Sequence, residues 1–234
     1  MTHTKYATLK VDDGSQMDAF VSFPGNDAKY PGILLFQEAF GVNVHIRDVA
    51  TRIAKEGYVV IAPELYHRTA TGFEAPYSDF QSVQPHSKAM TMKGISEDLK
   101  AGFEWLQNQD NVLHEKTGSI GFCQGGRISF IANALLPLSA SVSFYGGGTD
   151  ELVSHTAEIH APHLFFWGGL DKHIPREQRE TIITAMETAG KQYVAVTFSY
   201  AGHGFFCNER TSYQPDAAKE AWEMTLAFFR NKLQ

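Results

Sequence analysis

Cysteine is scarce in this chain, and long apolar runs are missing. Cys123 and Cys207 are the only cysteines among 234 residues, too few for a disulfide framework in a chain of this length. No apolar run reaches the roughly 18 residues of a membrane-spanning helix, and the first residues lack the apolar segment of a signal peptide. We therefore expect a cytoplasmic protein that does not enter a membrane.

The sequence also lacks blocks of like charge, tandem repeats and low-complexity segments. Its net charge is −6 and its pI is about 5.9, which argues against broad binding to nucleic acid or to an anionic membrane. With 43% hydrophobic and 12% aromatic residues, the chain can fill a sizeable core and is not disordered. Because no linker is visible, we expect a single domain over residues 1–234.

Apolar segments of strand length alternate with segments of helical periodicity. This alternation predicts an α/β fold with a mostly parallel, doubly wound sheet and helices on both faces. Asp13-Gly14 between two alternating runs predicts an N-terminal antiparallel hairpin, and residues 66–87 are expected to form a long loop. We predict strands at 7–11, 17–23, 33–36, 58–63, 117–121, 140–145, 163–168 and 193–199, and helices at 46–56, 88–108, 124–135, 176–189 and 215–232.

The strongest functional signal surrounds Cys123. Gly121-Phe122-Cys123-Gln124-Gly125 follows a predicted strand and opens a predicted helix, the context of a nucleophile elbow with glycines two residues on either side. Glycine is needed there because side chains would collide in the sharp turn. The helix N-terminus should favour a thiolate and an oxyanion beside it. The alternative is a buried structural cysteine.

A nucleophilic thiol needs a base, and the base needs a group that orients it. In α/β-hydrolases these follow the nucleophile in the order acid, histidine. Asp171 closely follows the strand predicted at 163–168, and His203 lies between two glycines after the strand predicted at 193–199. We therefore predict Cys123, Asp171 and His203 as a catalytic triad at the carboxyl ends of the strands.

Glu38 also follows a predicted buried strand, where a carboxylate is costly without a partner. It could reach the thiol or a nearby cation, or it could be a salt-bridged loop acid. The backbone N–H groups of Ala39 and Gln124 are the candidate oxyanion donors. His160 and His163 lack a neighbouring cysteine or carboxylate cluster, so we expect no metal.

Several aromatic side chains lie in or next to the loops expected around the nucleophile. They are candidate substrate contacts, although plain core packing is an equal alternative. The predicted pocket residues are Tyr66, Phe73, Tyr77, Phe80, Tyr145, Phe205 and Cys207.

Over residues 8–230 the chain resembles the dienelactone hydrolase family of α/β-hydrolases. The resemblance rests on the elbow together with residues 37–43, 57–66, 144–146, 168–171 and 203–205. It implies a compact cytoplasmic hydrolase without metal or organic cofactor, in which Glu38 controls the charge state of Cys123 and Ala39 and Gln124 form the oxyanion hole. Family members that cleave dienelactone carry an arginine four residues after the catalytic histidine. This chain has Cys207 there, with Arg210 three residues further, so we expect a broader ester or lactone class.

The predicted activity is hydrolysis of a small-molecule ester or lactone through a thioester on Cys123, by a monomer or homodimer. Within the enzymes, the alternative is attack by the same thiolate on thioesters or activated phosphate triesters. Outside them, Cys123 and Cys207 could form a non-catalytic redox sensor, although a complete triad argues against this. A binding module on the same fold would normally lack one triad member.

Overall fold

The computed structural model describes residues 1–26 and 28–234. Its strands form one sheet in the order β1-β2-β4-β3-β5-β6-β7-β8. Contacts divide the chain into two compact units, Met1–Thr117 and Gly118–Gln234, and the division falls inside β5. The single domain predicted from the sequence stays a prediction.

The first unit begins with the predicted hairpin, because β1 and β2 pair in antiparallel register. β2 is antiparallel to β4, and β4 is parallel to β3. All five residues of β4 are buried, and since strand side chains alternate between faces, both faces of this strand are covered. The elements are β1 (Thr2–Lys10), β2 (Gln16–Pro24), β3 (Tyr30–Phe36), α1 (Val44–Lys55), β4 (Val59–Pro63), α2 (Phe80–Ala89), α3 (Met92–Gln107) and β5 (Val112–Phe122).

The second unit continues from β5 with three further parallel strands. Every residue of β6 and β7 is buried, whereas only Phe198 of β8 is. This gradient follows from the position of β8 at the end of the sheet. The remaining elements are α4 (Gln124–Leu135), β6 (Ala140–Phe144), a 3₁₀ helix (Thr149–Glu158), β7 (His163–Gly168), α5 (Arg176–Thr188), β8 (Tyr193–Phe198) and α6 (Pro215–Leu233).

Two sequence-based expectations for residues 66–108 were wrong. The long loop contains α2 over its last part, and the helix predicted at 88–108 is α3, which begins only at Met92. The extended backbone of Met90 ends α2. Thr91 then begins α3, because its hydroxyl oxygen accepts the Gly94 N–H at 3.1 Å. A threonine in this role is a helix N-cap.

Two further findings concern the cysteines and the apolar character of the helices. Both cysteines are unbonded to each other. Among residues 1–26 and 28–234, none of the helices has the length and apolar character needed to cross a bilayer.

The cap at Thr91 is testable. Thr91→Ala removes the acceptor of the Gly94 N–H and should lower the free energy of unfolding by about 1 kcal/mol. Urea denaturation measures this loss. Thr91→Ser keeps the hydroxyl and should remain near wild type; an equal loss in both variants would contradict the cap.

Candidate active site

Cys123 occupies a strained turn between β5 and α4. Its backbone has φ 54° and ψ −117°, a combination that residues with a side chain rarely adopt. A Cβ on Gly121 would lie 1.9 Å from the carbonyl oxygen of Gly125. The turn therefore requires glycine at position 121, and it brings the Cys123 side chain out at the carboxyl end of β5.

Hydrogen bonds hold this turn against the neighbouring strands. The Cys123 N–H donates to the Phe144 carbonyl at 3.0 Å, and the Cys123 carbonyl accepts the Gly126 N–H at 2.9 Å. Tyr145, which follows β6, is the other non-glycine residue with positive φ (38°) among those described, and its N–H donates to the Phe166 carbonyl at 2.7 Å. Successive strand ends are thus tied together beneath the cysteine.

The three predicted triad residues lie together in the second unit. His203 Nε2 is 3.2 Å from Cys123 Sγ, and His203 Nδ1 is 2.8 Å from Asp171 Oδ2. Asp171 is buried, and Cys123 and His203 are half-buried. The imidazole therefore bridges the sulfur and the carboxylate, the arrangement expected of a nucleophile, a base and its orienting acid.

Asp171 is held in place by its own loop as well as by the histidine. Its second carboxylate oxygen accepts the His173 N–H at 2.8 Å. Burial by itself raises the pKa of Asp171, but the hydrogen bond and charge of His203, together with the His173 N–H, hold that pKa below 3.8. Asp171 is therefore an anion whose two oxygens are both engaged. The His173 side chain is exposed, and its backbone N–H orients the acid.

His203 carries the site's positive charge. Burial disfavours an imidazolium, but the negative charge of Cys123 and the hydrogen bonds to Asp171 and Cys123 outweigh it and raise the pKa of His203 to about 10. At neutral pH the proton therefore resides on the imidazole. The imidazolium thus lies between the Cys123 sulfur and the Asp171 carboxylate, where it would stabilise a thiolate.

A buried polar network lies behind the elbow and was not anticipated. The Ser143 hydroxyl donates to the Gly126 carbonyl in the first turn of α4 and accepts from His163 Nε2 at 2.8 Å. His163 Nδ1 in turn faces the Asn133 amide at 3.3 Å. Burial lowers the pKa of His163 to about 3, so its ring is neutral with the proton on Nε2. Both ring nitrogens of His163 thus make hydrogen bonds within the protein. His160, the other histidine considered as a metal ligand, is exposed.

The oxyanion and control residues lie in separate units. Gln124 is the first residue of α4, at the positive end of the helix dipole. Glu38 and Ala39 follow β3 in the first unit and are buried; the Ala39 carbonyl accepts the Tyr66 hydroxyl at 3.1 Å. Their predicted roles stay predictions.

The predicted pocket residues also divide between the units. In the first, Phe73 and Tyr77 pack against a buried cluster that includes Ala39 and Phe40, and Phe80 is 57% exposed at the start of α2. In the second, Tyr145 packs edge-on against His203, with ring centroids 5.2 Å apart. The remaining three, Tyr66 in the first unit and Phe205 and Cys207 in the second, are buried.

Comparison with known proteins gives one consistent family. Residues 17–233 match the profile of the dienelactone hydrolase family. A Synechocystis sp. protein assigned as a carboxymethylenebutenolidase is 35% identical over 230 residues, covering 94% of this chain and 93% of the relative. The carboxymethylenebutenolidase of Pseudomonas putida is 30% identical over 228 residues, covering 96% and 95%.

Solved structures share the fold over the whole chain. A Klebsiella pneumoniae protein assigned to the dienelactone hydrolases has a TM-score of 0.90 and 30% identity, with 98% of this chain and 99% of that one covered. A dienelactone hydrolase-like promiscuous phosphotriesterase from metagenomic libraries has a TM-score of 0.85 and 21% identity, with 99% of each chain covered. At the latter identity the likeness concerns the fold alone.

The elbow makes a steric prediction. Gly121→Ala places a methyl group on the Gly125 carbonyl, so the turn must open and Cys123 must move away from His203; esterase activity should fall by at least about a hundredfold. Gly147→Ala is the matched control, because its Cβ would meet only Ile174 at an ordinary 3.8 Å. Equal activity in the two variants would contradict the geometry.

The raised pKa of His203 makes a pH prediction. Because the pKa of His203 rises from 6.5 to about 10 on folding, its contribution to stability is complete below pH 6.5 and is lost as the pH rises through about 10. Urea unfolding of wild type and His203→Gln should therefore differ most below pH 6.5, and the difference should shrink towards pH 10. A difference independent of pH over this range would refute the raised pKa of His203.

Proposed function

The chain belongs to the dienelactone hydrolase family, and from that premise we propose that it cleaves carboxylic ester or lactone bonds through a thioester on Cys123. The resemblance deduced from the sequence is thereby confirmed, as are the α/β-hydrolase fold and the assignment as a hydrolase of this family. The observation that carries the proposal is the contact of His203 with both Cys123 and Asp171.

Acylation begins with the thiolate. The Cys123 sulfur attacks the carbonyl carbon of the ester or lactone, and the negative charge moves to the carbonyl oxygen. The Gln124 N–H at the start of α4 supports that charge as one oxyanion donor. When the C–O bond breaks, the leaving alkoxide takes the proton from His203 Nε2, leaving a thioester and a neutral imidazole.

Deacylation returns the site to its starting state. A water molecule attacks the thioester carbonyl while His203 Nε2 accepts one of its protons. The second tetrahedral intermediate expels the Cys123 thiolate and releases the carboxylic acid. Asp171 holds the imidazole in one orientation through both steps and stabilises the imidazolium at the end.

Two roles in the first unit belong to the proposal through the family resemblance. We assign Ala39 as the second oxyanion donor and Glu38 as the group that controls the charge of Cys123. Support comes from their position directly after β3 and from the burial of Glu38. Burying a carboxylate costs free energy, which a functional role would explain.

The substrate class is broader than dienelactone in this proposal. Cys207 stands four residues after His203, where family members that cleave dienelactone have an arginine, and its side chain is buried. The Arg210 guanidinium packs against Gly204 on the same loop, where a Cβ would lie 2.5 Å from it. Neutral esters and lactones therefore belong to the proposed range.

A second candidate activity would use the same proposed thiolate. A thiolate held beside an imidazolium can attack an activated phosphorus centre or a thioester as well as an ester carbonyl. The metagenomic structure with the same fold is a promiscuous phosphotriesterase by name, which makes phosphate triesters a suitable probe. Thioesters probe the carbonyl reaction with a different leaving group.

A substrate panel tests the proposal. Wild type should hydrolyse aryl esters and lactones, and Cys123→Ala should lose at least about a thousandfold in kcat/KM, because no other group can form the acyl-enzyme. Cys123→Ser tests whether sulfur itself is needed. Phosphate triesters and thioesters in the same panel separate the alternatives.

The matched control is a histidine outside the site. His203→Gln should lose activity on every substrate that Cys123→Ala loses, whereas the exposed His160→Gln should behave as wild type. Ester hydrolysis that persists unchanged in Cys123→Ala would exclude the proposed mechanism. Oxidation that joins Cys123 to Cys207, without hydrolysis of any substrate, would favour a redox sensor instead.

A further inference from the structure

The outer edge of β8 lacks the charged residues that protect β1 at the opposite edge of the sheet. β8 is the last strand in the sheet order, and β1 is the first. β1 carries Lys5 and Lys10, charges of the kind that discourage further pairing at an edge. Residues 193–198 contain neither a charge nor a proline, and Val194 is 50% exposed. Among residues 1–26 and 28–234, no further strand covers β8.

The hydrogen bonds of β8 alternate between its two sides. On the β7 side, the carbonyl groups of Gln192 and Phe198 accept N–H groups from the two ends of β7, at 3.0 and 2.7 Å. Because backbone groups alternate along a strand, the even-numbered residues face β7 throughout the parallel ladder. The N–H and C=O groups of Tyr193, Ala195 and Thr197 therefore point to the outer edge.

We propose that two copies of this chain pair through their β8 edges in antiparallel orientation, with the twofold axis at Ala195. In that register Ala195 lies opposite the partner's Ala195, and Tyr193 lies opposite the partner's Thr197. These are hydrogen-bonded pairs of an antiparallel ladder, so every outward N–H and C=O of the three residues is satisfied. The contact is self-complementary, as a twofold interface requires.

Side chains on the two faces of β8 fit the same register. Between the hydrogen-bonded pairs, Val194 lies opposite the partner's Val196, where cross-strand side chains approach most closely. Val194 is exposed and Val196 half-buried in the single chain. Pairing therefore removes apolar, β-branched side chains from water on the face that α5 does not occupy.

Charges on α5 are complementary across the proposed axis. Arg179 Nη1 donates to Thr197 Oγ1 at 3.4 Å, at one end of β8. At the other end, the Tyr193 hydroxyl donates to Glu187 Oε1 at 2.8 Å. Antiparallel pairing places the Thr197 end of one copy beside the Tyr193 end of the other. Arg179 of each copy then lies beside the partner's Glu187, so the dimer contains two such ion pairs. A parallel arrangement would instead oppose like charges.

Pairing at this edge would also support the active site. β8 leads directly into residues 199–204, the loop that carries His203. A second copy on the outer edge fixes the strand on both sides immediately before that loop. The proposal does not depend on which bond the enzyme cleaves.

Sedimentation equilibrium on the full chain, over about 1–200 μM, tests the association. Wild type should pass from the 26.0 kDa of one chain towards twice that mass. Ala195→Pro removes only an outward N–H and keeps the β7 ladder, so it should fold and should raise the dissociation constant at least about tenfold. Circular dichroism and thermal melting verify that it folds.

Two separate substitutions by lysine, one at each edge of the sheet, test which edge forms the interface. Val194→Lys should raise the dissociation constant as Ala195→Pro does, because it buries a charge in the interface. Tyr6→Lys makes the corresponding change at a 56% exposed position of β1 and should leave the dissociation constant unchanged. If the two lysines act alike, the interface lies elsewhere and the proposal is overturned.

Charge reversal tests the orientation. Arg179→Glu and Glu187→Arg should each weaken the dimer, and the double reversal should restore the wild-type dissociation constant to within about threefold. A double variant no stronger than the singles overturns the antiparallel register. A wild type that stays at 26.0 kDa throughout overturns the proposal, even if a different protein or an extended peptide binds at the edge.

Discussion

The left-handed backbone of Cys123 is the constraint on which the active site depends. A non-glycine residue held in such a conformation costs on the order of 1–3 kcal/mol and persists only where its surroundings enforce it. Here β5 fixes the residue from one side and α4 from the other, and the Phe144 carbonyl holds its N–H. The strained turn delivers the sulfur to the end of the sheet, where His203 meets it.

Electrostatics then determines what that sulfur can do. His203 lies between the Cys123 sulfur and the Asp171 carboxylate, and their combined effect on its pKa exceeds the cost of burying a cation. Asp171 remains ionised because both of its oxygens are hydrogen-bonded. The uncharged His163–Ser143 relay supports the first turn of α4 from behind without adding a charge to the site. Charge is thus concentrated on His203 and Asp171.

The sequence predicted the elements around the nucleophile well and the more polar elements poorly. α4 and β7 have the predicted bounds, since α4 follows the elbow directly and β7 is a buried, mostly apolar segment that ends in glycine. α2 was missed because it buries only Val83 and contains Pro85, which argues against a helix interior. β5 begins at Val112, before the predicted 117, because its first half is largely exposed and polar.

The residues of the candidate site were likewise predictable only where a local sequence pattern marks them. The proximity of Cys123, Asp171 and His203 could be predicted because each residue occupies a strand end in a fixed chain order. The Asp171–His173 turn and the His163 network depend on distances that no local pattern encodes. The exposed edge of β8 was equally hidden, since Tyr-Val-Ala-Val-Thr-Phe is typical of a buried strand and only the strand order shows that it lies at the end of the sheet.

The most direct test of the account is a rapid-quench reaction of the wild-type enzyme with an excess of an aryl ester, followed by mass analysis of the acid-quenched chain. The account predicts a burst of one aryl alcohol per active site and an acyl group that maps to the peptide containing Cys123. Steady turnover with an acyl group on any other residue, or with aryl alcohol release independent of Cys123, would contradict it.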